Sequence, residues 1–371
     1  MNLDDVLKSP YAWPQDRKVP WLCQGLEELV DYHRQHCAPY ARICGTLHLE
    51  TTASTPLERI PFLPVQAFKH LWLHSVPEQQ ILKVLTSSGT TGQAVSRIAL
   101  DHATSMLQTK ALAGIGQAFL GAQRWPMVFV DHANVIKDRA SFSARGAGLI
   151  GFSSFGRDHF YLLNESMKPD WEGLKAFQKK HGEGPVLFFG FTYMVWAHLV
   201  QEAKAAGLSF SFPSGILIHG GGWKKLEQEK VDNAAFKAAL QKWFGLTKVH
   251  NYYGLVEQVG TIYMECERGV LHAPVSAEVL ARDPATLAPL PTGAKGLLQV
   301  FSLLPRSYPG HSLLTEDLGS WLGEDDCPCG RKGKYFLVHG RMAQAELRGC
   351  SDTHAFNEIQ GQAVPDPNSH G

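Results

Sequence analysis

The 371-residue chain has no excess of charge of either sign: 35 Lys and Arg balance 35 Asp and Glu. That balance excludes the basic footprint of a nucleic-acid binder and the polybasic arm of a protein held on anionic lipid. The chain also lacks an apolar run long enough to cross a bilayer. The longest, VLFFGFTYMVWAHLV at 186–200, falls short of the roughly 20 residues a spanning helix needs. It carries Thr192, Tyr193 and His198, and reads as a buried strand running into a helix. No basic start followed by an apolar core opens the chain, so residues 1–25 do not read as a secretory signal. Cysteine is scarce and odd in number, at positions 23, 37, 44, 266, 327, 329 and 350. Without a signal sequence, that count reads as reduced thiols in a cytoplasmic protein. Repeats and low-complexity tracts are absent. What is left is ordinary globular composition, 44% hydrophobic and 19% charged, which excludes disordered and fibrous classes.

Three stretches organise the chain. Residues 1–75 are rich in Pro, aromatics and His, with helical apolar spacing over 21–37 (Leu22, Leu26, Leu29, Val30, Tyr32). IPFLPVQAFK at 60–69 holds two prolines and reads as an extended, packed connector. From residue 80, short β-type runs at 81–85, 126–131, 148–152, 186–191, 215–219 and 296–301 alternate with helical patterns at 103–120, 171–181, 193–206 and 225–244. This alternation predicts an α/β fold with a largely parallel sheet. Residues 265–340 lose the helical pattern and read as a β-rich subregion of a 76–340 domain, leaving 341–371 as a short C-terminal segment.

Four segments have the residue types of a ligand site. LTSSGTTGQAVSR (85–97) packs hydroxyls around glycines directly after an apolar strand. Hydroxyls and unhindered backbone N–H groups are the donors that wrap phosphate oxygens. No Lys-Ser/Thr follows the last glycine, so this is not a Walker A loop; the plain alternative is a Ser/Gly surface loop. In VHNYYGLVEQVG (249–260) two tyrosines and a glycine precede Glu257, a carboxylate suited to Mg²⁺ if it stands beside a phosphate loop. LIHGGGWKK (217–225) ends a strand in three glycines, either a simple turn or a close backbone approach to a ligand at the sheet's C-terminal edge. In PRSYPGHSLLTEDLGSW (305–321), Asp317 has a strand-end position suited to ribose hydroxyls. His132 and His219 also follow or end strands and could line a pocket.

Taken in order, TSSGTTG, GGG, YYGLVE, TEDLG and HGR (339–341) resemble the adenylate-forming superfamily. IPFLPVQAFK, SARGAGLIGF (143–152), LPRSYPGHSLLTEDLG and GRMAQAELRGCSD (340–352) resemble, within it, the acyl-protein synthetases of the bacterial bioluminescence fatty-acid reductase complex, with phenylacetate–CoA ligases as more distant relatives. The resemblance runs from about residue 20 to about 357. It implies an adenylate-forming, acyl-CoA synthetase-like large domain whose C-terminal domain is much shortened, since 30 residues follow Arg341. It implies that Ser87, Ser88, Gly89, Thr90, Thr91 and Gly92 hold the ATP phosphates. Gly220, Gly221, Tyr253 and Gly254 would border the adenine and acyl pocket. Glu257 would bind Mg²⁺, Asp317 the ribose, and Arg341 the ribose or phosphate. The implied reaction forms acyl-AMP from ATP and a carboxylic acid, by default a long-chain fatty acid. An acyl reductase, and with it a thioesterase, are the implied partners. Many members of the superfamily carry Pro-Lys after the phosphate loop, where this chain has Gln93-Ala94.

Two cysteine groups complete the expectation. Cys350 lies in ELRGCSDTH, uncrowded by Gly349 and Ser351, with Arg348 and His354 able to place positive charge nearby. Positive neighbours raise the thiolate fraction, the attacking species. In the resembled synthetases a cysteine of the C-terminal region accepts the acyl group as a thioester. Separately, Cys266 and His272 (CERGVLH) with Cys327 and Cys329 (CPCG) could form a closed tetrahedral Zn²⁺ site, or be four unrelated residues. The competing functional readings are a ligase that uses external CoA, and a catalytically degenerate adenylate-binding subunit of a complex.

Overall fold

The computed structural model describes residues 3–49, 51–52, 54–87, 95–136, 144–223 and 230–342. Its strands are β1 (Leu63–Pro64), β2 (Lys83–Thr86), β3 (Arg97–Leu100), β4 (Trp125–Phe129), β5 (Gly156–Tyr161), β6 (Leu187–Phe191), β7 (Ile216–Gly220), β8 (Lys248–Gly254), β9 (Ile262–Glu265), β10 (Leu271–His272), β11 (Ala277–Arg282), β12 (Gly296–Ser302), β13 (Ser312–Glu324) and β14 (Lys334–Arg341). All but β2 and β3 join one twelve-stranded sheet in the order β11-β12-β13-β14-β10-β9-β8-β7-β6-β4-β5, with β1 paired to β13. Strands β5, β4, β6, β7 and β8 run parallel. Beyond β8 the main path turns antiparallel. β2 and β3 form a separate antiparallel hairpin.

The parallel half is explained by its runs. PMVFV, VLFF and GILI are apolar at successive positions because both faces are covered. Val128, Phe188, Leu217 and Val249 enter one core with helices Trp171–His181 and Asn233–Phe244. Met127, Phe129, Leu187, Phe189, Ile216 and Ile218 enter the opposite core. Asp101, Asp170 and Asp232 cap helices His102–Leu120, Trp171–His181 and Asn233–Phe244 by accepting from the N–H of Thr104, Gly173 and Ala235. The helix expected over 21–37 spans Gln15–His36. Its Leu22, Leu26, Leu29 and Val30 stripe packs on Leu280, Phe301 and Leu303 of the antiparallel half.

Two expectations change. Residues 148–152 were expected as a strand and lie in helix Ala144–Ser153. Leu149 and Phe152, three apart, are buried while Ile150 is exposed, a helical pattern hidden by a short apolar run. The run at 81–85 gives β2, outside the main sheet. No helix among the described residues is long and apolar enough to cross a membrane.

Candidate active site

The hydroxyl-rich segment connects β2 to β3 in the sequence. Ser87, the first residue past β2, ties its neck: its N–H donates to the Ser96 carbonyl (3.2 Å) and its Oγ accepts from the Ser96 N–H (2.9 Å). Ser88, Gly89, Thr90, Thr91 and Gly92 lie outside the described residues, as does Cys350. Glu257 stands in the 3-10 turn Val256–Gln258, and is buried. Burial pushes its carboxyl pKa up, while the neighbouring Ser96 hydroxyl and Lys69 ammonium pull it down. Ser96 thus brings the loop's neck and Glu257 into one place.

A second group assembles three expected residues from three strands. Tyr253 on β8 donates its hydroxyl to Asp317 Oδ2 on β13 at 2.7 Å. Asp317 is in register with Arg341 on β14, whose Nε lies 3.9 Å from Asp317 Oδ1 and whose Nη2 lies 3.6 Å from Glu316 Oε2. Burial raises the Asp317 pKa, and Tyr253 and Arg341 oppose it. Arg341 is exposed at its guanidinium, so its charge is available to an incoming group.

The glycine segment has a packing reason. A Cβ on Gly220 would come 2.4 Å from the Tyr252 ring, and Gly221 has φ +76°. The backbone there is shaped by close approach to Tyr252, which stacks toward Phe152 and Phe189. Gly254 ends β8 against Ile262. His219 accepts from or donates to Thr192 Oγ1 at 2.9 Å. Burial lowers its pKa to about 4, so the imidazole is neutral. It packs on Phe236, 4.6 Å between ring centroids, on the helix-covered face of the sheet.

Two features were not legible in the sequence. Asp131, just past β4, is buried and accepts from both Arg145 Nε (2.8 Å) and Nη2 (2.5 Å). It sits where the chain order reverses, with β5 on one side of β4 and β6 on the other, the crevice position for ligands in open α/β sheets. Asn251, in register with His219, has its Oδ1 buried with no hydrogen-bond partner among the described residues, and the same holds for His219 Nε2. Its place two residues before Tyr253 was the only available signal.

Cys266, His272, Cys327 and Cys329 do come together, every potential ligand atom within 4.8 Å of the others. Cys266 and Cys327 Sγ atoms are 4.0 Å apart, and Cys329 Sγ lies 3.3 Å from His272 Nε2. Sulfurs about 2.3 Å from a tetrahedral zinc lie about 3.8 Å from each other, so the spacing fits that ion. Burial and Arg331 lower the His272 pKa to about 4, leaving a neutral imidazole, the ligand form.

A sheet with one parallel and one antiparallel half, with a buried glutamate just past β8 and a Tyr–Asp–Arg group drawn from β8, β13 and β14, has the fold of the adenylate-forming ligases. Solved structures agree: 2-hydroxyisobutyryl-CoA ligase in complex with 2-HIB-AMP and CoA superposes with TM-score 0.67 at 19% identity, covering 90% of this chain and 77% of that one. The same enzyme in its postadenylation state gives 0.68 at 18%, covering 90% and 70%. The chain belongs to the family described as "Acyl-protein synthetase, LuxE", whose profile matches residues 2–358. Its relatives include the long-chain-fatty-acid–luciferin-component ligases of Aliivibrio fischeri (26% identical over 327 residues, 86% of this chain and 84% of that one) and Vibrio harveyi (23% over 361 residues, 94% and 92%).

Proposed function

We propose that the chain activates a long-chain fatty acid with ATP, forming acyl-AMP and pyrophosphate, and then passes the acyl group to its own Cys350 as a thioester for a partner acyl reductase. The observation that carries the reading is the convergence of Tyr253, Asp317 and Arg341 from three separate strands. Asp317 would accept from ribose hydroxyls, Arg341 would meet the ribose or phosphate, and Tyr253 with Gly220, Gly221 and Gly254 would border the adenine and acyl groups. Ser87 to Gly92 would hold the phosphates. Glu257, a buried carboxylate without an ion pair among the described residues, fits a Mg²⁺ ligand. Magnesium, when bound there, offsets phosphate charge.

Acyl transfer in cis is within reach. Cys350 is nine residues beyond Arg341, so at most about 30 Å of extended chain separates them. The thiolate attacks the acyl carbonyl, the C–S bond forms, and AMP leaves with the electron pair of the anhydride bond. The relatives' name supports a fatty acid as the acid substrate. We assign zinc to Cys266, His272, Cys327 and Cys329 as a closed structural site, on the spacing given above. We place the protein in the cytoplasm.

Labelled tetradecanoic acid with Mg-ATP tests the function. An ATP-dependent, hydroxylamine-labile protein band that disappears in Cys350→Ser supports the thioester. Pyrophosphate release without a band would move the acceptor to CoA or another external thiol. Failure to bind ATP at all would leave the degenerate-subunit reading.

A further inference from the structure

A carboxylate that is to hold a metal ion needs a fixed backbone beneath it. Glu257 gets little of this from its own segment. It lies in the loop 255–261 that joins β8 to β9, where the one regular piece is the 3-10 turn Val256–Gln258. A single such turn has poor hydrogen-bond geometry. Two local bonds close it, from the Gln258 N–H to the Leu255 carbonyl (3.1 Å) and from the Thr261 N–H to the Gln258 carbonyl (3.0 Å). They shape the turn but do not say where it stands in the molecule.

Gln258 does. Its side chain, 1% exposed, crosses to the antiparallel half of the sheet. There Nε2 donates to two carbonyls, Gly310 at 2.8 Å and Val300 at 3.1 Å. Carbonyls only accept, so the nitrogen end of the amide has to face them and both of its hydrogens are used. Val300 lies on β12, in register with Leu313 of β13. Gly310 lies just before β13, next to His311, whose carbonyl accepts from the Ser302 N–H of β12 at 2.9 Å. Gly310 also meets Glu257 itself: a Cβ there would come 2.5 Å from the Glu257 carbonyl oxygen. The backbone at 257 therefore lies on the backbone at 310, and the next side chain bonds that same residue. β13 carries Asp317. One buried amide thus ties the turn that bears Glu257 to the strand that bears Asp317.

We propose that Gln258 is a positioning residue that sets the spacing between the Glu257 and Asp317 carboxylates. The inference rests on the reading above, in which Glu257 meets Mg²⁺ and Asp317 meets the ribose. Both carboxylates then act on one nucleotide, one through its phosphates and the other through its sugar. A shift of the Glu257 turn leaves the sugar contacts as they are and spoils the fit of the two together. The loss therefore falls on the part of ATP affinity that depends on Mg²⁺, and not on the binding of AMP.

The experiment compares the full-length native chain with Gln258→Met, Gly310→Ala, Thr261→Val and Glu257→Gln. Equilibrium dialysis, run below the Tm of each, measures ATP binding with Mg²⁺ and with EDTA, and AMP binding. Gln258→Met keeps the bulk of the side chain and removes both donors. Gly310→Ala leaves the amide in place and pushes the same turn from the other side, so it decides the matter if Gln258→Met does not fold. Each is expected to lose about 10-fold or more of the gain in ATP affinity that Mg²⁺ gives the native chain. AMP should bind each as it binds the native chain. Thr261→Val breaks another buried bond from the same loop to β12, Thr261 Oγ1 to Ser302 Oγ at 2.6 Å, and should melt lower yet keep the gain. A folded Gln258→Met with the native gain would overturn the assignment. So would an equal loss in Thr261→Val, or a matching loss of AMP binding, since either marks a general loosening of the fold. If Glu257→Gln keeps the gain, the reading of Glu257 as the Mg²⁺ ligand fails first and the assignment falls with it.

Discussion

Lys18→Met is the sharpest test of how the molecule is held together. Lys18 Nζ and Glu278 Oε2 are 3.2 Å apart, and both side chains are wholly buried. Glu278 also accepts from Gln15 Nε2 (2.8 Å) and the Val279 N–H (3.0 Å). Lys18 donates to the Ala273 carbonyl (3.4 Å). The pair joins helix Gln15–His36 to β11, so it links the N-terminal segment to the antiparallel half. Methionine nearly matches the lysine stem in volume, so the change removes the charge without opening a large cavity. Glu278 then keeps two donors but loses its direct counter-ion. Removing one partner of a buried pair costs about 3–5 kcal/mol. Unfolding entropy of about 2.1 cal/mol/K per residue over the whole chain converts that to a fall in Tm of about 4–6 °C. Differential scanning calorimetry on both chains measures it. The double change Lys18→Met with Glu278→Leu is expected to recover much of the loss, because no isolated charge remains. If Lys18→Met alone melts with the native protein, the pair does not anchor the N-terminal helix and the reasoning is wrong.

Three further outcomes follow from other sites. His33 and His311 are buried and stacked 5.0 Å apart, and burial holds both below the usual imidazole range, His311 at about 3. An unfolded histidine takes up a proton below about pH 6.5; the folded ones do not. Stability is therefore full above that pH and falls as pH drops toward 3, by up to about 1.4 kcal/mol per pH unit for each histidine. Denaturation in a pH series should show a shallower acid slope in His311→Gln. Metal analysis of protein purified without chelator should give one zinc per chain, and Cys329→Ser should lose it and melt lower. Tyr253→Phe removes the donor to Asp317 and should raise the KM for ATP by about 10-fold or more; with 3′-deoxy-ATP the penalty should shrink, and an equal penalty for both nucleotides would count against a ribose role for Asp317.

The parallel half was legible because it is covered on both faces. PMVFV, VLFF and GILI have to be apolar throughout, and such runs stand out in a sequence. The helix Ala144–Ser153 was not, because LIGF has the length and composition of a strand, and the deciding fact is which residues face Phe189 and Tyr252. The antiparallel strands β9 to β11 were legible only as a loss of helical pattern. They are short or mixed in polarity: Glu265 and Glu278 are buried within them, each sustained by a partner far away in the chain. At the site, the residue types were readable but the distances were not. Tyr253 and Asp317 are 64 residues apart, and only the sheet order makes them neighbours. The Asp131–Arg145 pair left no trace, since an aspartate after a strand is common. The four zinc-type residues were readable as a set because two of them share one tight turn.

The hairpin formed by β13 and β14 behaves as a ruler. At one end Asp317 is opposite Arg341; at the other Glu324 is opposite Lys334, and between those strands' tips runs the turn with Cys327 and Cys329. The two ends are about 23 Å apart at the usual strand rise. Two irregularities, at Leu318/Gly319 and Trp321/Gly323, interrupt the ladder between them. Each is a place where the strands could settle one residue out of step, turning every side chain beyond it to the opposite face. A metal ion at the proposed site, tying the turn to Cys266 and His272, would remove that freedom. A site remote from the proposed nucleotide pocket would then set which residue of β14 stands opposite Asp317, and where the chain leaves the sheet after Arg341.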